Sequence, residues 1–142
     1  MTVPFHYIDL RAFCYETEDE QRVEAALRHF LPEEVELERS ETEGHYGDRI
    51  VVLSARVERA DEMRHVLDRL TESADMERIR GELDERVDDD CSLFFYLDKQ
   101  AAYRGEAALG EGIAFRAKVE AYPAKREAAV ENAREAFAPS AD

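Results

Sequence analysis

The alternation of residues 5–15 is the tightest constraint on the fold. His6, Ile8, Leu10, Ala12 and Cys14 share one side of an extended segment, which is strand periodicity. "IAFRAKVEAY" repeats the pattern near the other end of the chain. There Ile113, Phe115, Ala117, Val119 and Ala121 point inward, and Arg116, Lys118, Glu120 and Tyr122 point outward. Residues 35–57 read as a hairpin: "VELERSETE" turns polar halfway, "RIVVLSARV" is rich in β-branched residues, and the glycines of "GHYGD" join them. The polar half marks an edge strand or a projecting hairpin end. "CSLFFYLD" reads as a strongly apolar, central strand.

Between these segments the period changes. Val23, Ala26, Leu27, Phe30 and Leu31 form a helical stripe that Pro32 stops, with Thr17 and Glu20 at capping-box spacing before it. Met63, Val66, Leu67 and Leu70 make a second stripe. Met76, Ile79, Leu83 and Val87 make a third, with Ser73 as the cap between them. "RGEAALGEG" is irregular. Pro123 suits the first turn of a last helix carrying Val130, Ala133 and Phe137, and the tail 138–142 is expected to fray. The order is therefore β-α-β-β-α-α-β-β-α. A hairpin and later adjacent strands predict an α+β fold, a largely antiparallel sheet with helices on one face. A chain of 142 residues supports one such domain, residues 1–142.

Charge narrows the function. Asp and Glu number 34 against 19 Lys and Arg, a net charge of -15, and only Lys99, Lys118 and Lys125 are lysines. An acidic, lysine-poor surface fits solubility in concentrated salt, where ions screen its self-repulsion. No basic start followed by an apolar block precedes the first strand, and no apolar run reaches the roughly 20 residues that a bilayer requires. Cys14 and Cys91 are isolated in apolar strands and read as reduced thiols. These points predict a soluble, cytoplasmic protein that does not contact a membrane.

Against the acidic background, residues 99–126 carry net positive charge. Arg116, Lys118 and Tyr122 share a strand face. Lys125 and Arg126 fall in the first helical turn, where the macrodipole disfavours cations and no acid stands three or four residues downstream. A phosphate would accept the free amides of such a helix start together with both side chains, and Tyr122 could stack on a base. The competing explanation is cross-strand pairing of these cations with the abundant acids. The tip "GHYGDR" offers His45, Tyr46 and Arg49 to a base or backbone, or is an ordinary turn. His6, His29, His45 and His65 show no metal-ligand spacing, and there is no P-loop, so no metal, cofactor or catalytic residue is expected.

"EGHYGDRIVVL", "LDKQAA" and "KVEAYPAKREAAVENARE" resemble an archaeal family described as RNA-binding proteins or predicted exosome subunits, most closely its halophilic members. The resemblance spans nearly the whole chain. It implies a fold similar to ribosomal protein L5 and RNA binding without catalysis, beside the RNA-degrading exosome. Its matching blocks carry over His45, Tyr46, Lys99, Gln100, Lys118, Tyr122 and Lys125. In concentrated salt phosphate contacts lose affinity, so stacking and RNA structure would have to carry the binding. The alternative is a protein-interaction subunit of an RNA-processing complex that does not itself hold RNA; homo-oligomerisation is left open.

Overall fold

The N-terminal strand lies in the middle of the sheet. In the computed structural model, which describes residues 3–137, β1 (Phe5–Tyr15) pairs antiparallel with β3 (Arg49–Val57) on one side and β5 (Gly112–Val119) on the other. β2 (Glu38–Glu43) and β4 (Ser92–Asp98) close the two edges, giving the order β2-β3-β1-β5-β4 with every neighbouring pair antiparallel. The helices are α1 (Glu20–Arg28), α2 (Ala60–Thr71), α3 (Met76–Gly81), α4 (Leu83–Arg86), α5 (Lys99–Tyr103) and α6 (Arg126–Ala136). The α+β class and the antiparallel sheet agree with the sequence analysis.

One side chain parity carries the core. Leu10, Leu53, Leu93, Phe95, Phe115 and Val119 are buried beneath helix residues such as Leu27, Val66, Ile79 and Val130. Phe95 and Phe115 stack with centroids 4.3 Å apart, and Phe137 at the end of α6 lies against Phe95 and Phe5. Each such ring removes apolar area from water worth about 1.5–3 kcal/mol. The opposite parity faces away from the helices. Its residues Asp9, Arg11, Arg56, Phe94, Tyr96 and Arg116 are exposed or half-buried.

Local chemistry accounts for several departures from the sequence reading. The register of β1 shifts between Phe5 and Tyr7, so Phe5 is buried and His6 exposed, not aligned with Ile8. An inserted residue changes the parity of everything before it. Asp19, not Thr17, caps α1 by accepting the Gln21 amide. Ser73 accepts the Asp75 amide ahead of α3. The third stripe is split: α3 ends at Gly81, α4 starts at Leu83, and Val87 leaves the helix to bridge with Leu93. α5 was not expected. Asp98 builds it by accepting the amides of Gln100 and Ala101. "CSLFFYLD" forms an edge strand instead of a central one, because β1 takes the centre. β2, by contrast, is the exposed polar edge that its composition indicated. The tail 138–142 lies outside the described residues.

The "GEG" glycines are spatial necessities. A Cβ at Gly110 would stand 2.5 Å from the Asp98 Cβ, and one at Gly112 would stand 2.7 Å from the Lys99 Cβ, with φ at +112° there. These two glycines let β5 begin directly under the Asp98–Lys99 corner.

Candidate nucleic-acid interface

The fold disperses the basic residues that are close in sequence. Lys99 is buried and anchors the corner between β1 and α1. Its Nζ donates to the Phe13 carbonyl at 2.6 Å and to Glu18 Oε1 at 2.6 Å. Burial pushes the Glu18 carboxyl up, but the Lys99 hydrogen bond and the Tyr15 amide outweigh it and leave the group below the usual glutamate range. Gln100 lies beside this corner, in a cleft lined also by Thr17, Asp19, Arg22 and Tyr103. Arg49 sits near Glu20 and Glu41, at 4.0 and 3.8 Å. His45 and Tyr46 meet edge to face at the β2–β3 tip, with Tyr46 almost fully exposed. Gly47, at φ +81°, makes that turn.

The strand-to-helix junction differs from its sequence reading. Pro123 is not in α6. It follows a cis peptide bond after Tyr122, in the loop before the helix. Lys125 is the N-cap residue, with no side-chain cap bond, and Arg126 is the first helical residue. Arg126 Nε donates to the Val87 carbonyl at 3.0 Å, tying α6 to the end of α4. Lys118 Nζ is hydrogen-bonded to the Asp90 carbonyl. Tyr122 is fully exposed. The phosphate cradle expected at the helix start is thus reduced to Lys125, since Arg126 is held in the fold.

The structure instead gathers a different set on the outer sheet face. Cross-strand register places Phe94, Arg116, Asp9 and Arg56 in one row over β4, β5, β1 and β3. The next row is Tyr96, Ala114, Arg11 and Ser54. Lys118 lies opposite Tyr7 and Ser92 in a third. Four cations therefore share this face with Asp9, with Asp98 at its rim, whose carboxylate caps α5, and with Glu38 beyond β3. Asp9 is committed: it takes both Nε and Nη2 of Arg56 at 2.8 and 2.9 Å, and the Arg56 guanidinium also lies 3.9 Å from the Tyr7 ring centre. The Arg116 guanidinium lies 5.2 Å from the Phe94 ring centre. Among the described residues, Arg11, Arg116, Lys118 and Lys125 make no ion pair. An open face with guanidinia free of ion pairs and the exposed ring of Tyr96 can hold phosphates and stack a base.

Of the residues singled out from sequence, Arg116 and Lys118 belong to this face. Lys99, Arg49 and Arg126 have partners within the fold, and Tyr122, Lys125, Gln100, His45 and Tyr46 lie elsewhere on the surface. The residues missed were Arg11, Arg56, Phe94 and Tyr96. Strand parity in "IDLRAFCY" and "SLFFYLD" holds the signal for all but Arg56, but reading the latter as a central strand concealed its outward aromatics.

Residues 7–119 match the family described as RNA binding. That span contains every strand residue of the outer face. The chain belongs to this family. It is 37% identical over 141 residues to RNA-binding protein PAB1135 of Pyrococcus abyssi, covering 92% of each chain. Solved structures extend the likeness. Mth689 of Methanothermobacter thermautotrophicus, a DUF54 protein, superposes with TM-score 0.80 at 41% identity, over 94% of this chain and 98% of that one. Protein AF2318 of Archaeglobus fulgidus superposes with TM-score 0.83 at 32% identity, over 93% and 99%. Among the described residues of this family member, no helix is long and apolar enough to cross a membrane.

Proposed function

We propose that this protein binds RNA on the outer face of its sheet and leaves it uncleaved. The carrying observation is that Arg11 and Arg116, free of ion pairs among the described residues, stand on an open sheet face of a chain with net charge -15. An acidic body repels a polyanion from most approaches and leaves this face as the favourable one. Membership in the RNA-binding family supports the same reading.

The finer relationships rest on the sequence resemblance. A likeness to ribosomal protein L5 is supported by an open antiparallel sheet with helices on one side. Adaptation to concentrated salt is supported by the acidic composition. Association with the exosome, or a purely protein-binding role, would use the exposed edge of β2, whose backbone is free to accept another strand.

The test is fluorescence anisotropy with a labelled random-sequence RNA over a salt series. Changing Arg11 and Arg116 together to Gln should weaken binding. It should also flatten the log K against log salt slope by roughly 1.4, about 0.7 per lost phosphate contact on single strands. Changing Lys125 and Tyr122 should leave both measurements alone. Unaltered binding by the double Arg variant would refute the reading, and loss of full-length RNA on incubation with Mg²⁺ would refute its non-catalytic part.

A further inference from the structure

We infer that the RNA held on the outer face is single-stranded, and that one unpaired base lies over Ala114 against the ring of Tyr96. This rests on the reading of that face as the RNA site and goes on to name the form of RNA and the seat of a base.

The geometry around Ala114 points there. Its neighbours in register are Tyr96 on β4 and Arg11 on β1, and Arg116 follows two residues along β5 on the same face. Opposed side chains on neighbouring strands stand about 5 Å apart and same-face neighbours along a strand about 6.7 Å apart. The methyl of Ala114 is thus a low point bounded by one aromatic ring and two guanidinia. Tyr96 is 58% exposed, and among the described residues its ring has neither an aromatic nor a cationic partner. Phe94, the other aromatic of β4 on this face, is already covered by Arg116. A free ring beside a shallow seat, with cations at two sides, matches a base and its flanking phosphates.

A duplex would not use this arrangement, because its bases are stacked on one another and only its backbone and groove edges are offered. A second copy of the chain is disfavoured by charge. A two-fold pairing centred on Ala114 would crowd the Arg11 and Arg116 guanidinia of both copies around one axis.

Anisotropy titrations with a labelled oligouridine about 12 nucleotides long and a labelled duplex of about 16 base pairs test the inference. The oligouridine should bind more tightly. Tyr96→Ala should weaken it roughly 5- to 150-fold, the range covered by one base–aromatic stack. Tyr96→Phe should bind like the parent, since the ring is retained. Ala114→Leu, which fills the seat while Tyr96 stays, should also weaken binding, and Tyr122→Ala should not. All three positions reach the surface, and circular dichroism checks that the variants are folded. Equal or tighter duplex binding, or oligouridine binding indifferent to Tyr96 and Ala114, overturns the inference; RNA binding itself would still stand if the Arg11 and Arg116 variant lost affinity. Absence of binding to either probe overturns both readings. A dimer that Tyr96→Ala converts to monomer, measured by light scattering, overturns it in favour of self-association.

Discussion

Replacing Lys99 with Met should destabilise the protein by about 3 kcal/mol at pH 7, and that cost should shrink as the pH falls. Met keeps the aliphatic stem over Gly112 but removes the ammonium group from Glu18 and the Phe13 carbonyl. Breaking one side of a buried ion pair costs about 3–5 kcal/mol. The low end applies, because Glu18 retains the Tyr15 amide and partial contact with water. In the parent, the Glu18 carboxyl lies below its usual range, since Lys99 and the Tyr15 amide outweigh burial. Its contribution is therefore present above the unfolded-state pKa and is lost as pH falls through the lower folded value. In Lys99→Met the chief remaining influence is burial, which raises the pKa, so the variant suffers most while Glu18 must stay ionised. The gap between the two proteins should be widest near neutrality and should narrow as the pH falls into the acid range, where Glu18 of the variant takes up its proton before Glu18 of the parent does. Urea unfolding followed by far-UV circular dichroism suits a chain without tryptophan. A cost under about 1 kcal/mol at pH 7, or one independent of pH, would refute the assignment of Lys99 as a buried structural cation.

Other consequences are simpler to measure. Gly112→Ala should lower the urea midpoint by an amount equivalent to about 2 kcal/mol or more, since it adds a Cβ 2.7 Å from the Lys99 Cβ at φ +112°. Gly81→Ala meets nothing within 4 Å and should be neutral or stabilising by up to ~1 kcal/mol in the same assay. Phe137→Ala removes a fully buried ring from Phe5 and Phe95 and should cost about 3–5 kcal/mol, read as a fall in the thermal midpoint. Raising KCl should increase that midpoint in the parent protein, because screening relieves the repulsion within a surface of net charge -15.

Periodicity makes most of the architecture readable in the sequence. The alternation in 5–15 became β1 and the stripes led by Val23 and Met63 became helices, whereas that in 113–122 became β5 only as far as Val119, which leaves Tyr122 off the strand face. What escaped had local causes that composition does not encode. His6 left its face because of a register shift, and Val87 left its helix to bridge with Leu93. A five-residue helix at Lys99 is too short to generate a stripe. The site was less legible. Arg116 and Lys118 were placed on a strand face correctly, but their neighbours are set by which strands pair, and Arg11 and Tyr96 are far from them in sequence. Lys99 looked available for RNA because its partners Glu18 and Phe13 lie more than 80 residues away.

The placement of β1 has a consequence for how the chain is made. It emerges before the other strands of the sheet and can join β3 once residue 57 has emerged, yet its other edge stays unpaired until β5 ends at residue 119. At the usual pace of translation that interval lasts roughly 3 to 12 s. Through it, a half-built three-stranded sheet holds a naked central backbone, so a nascent chain stalled before β5 would offer any passing strand the place that belongs to its own.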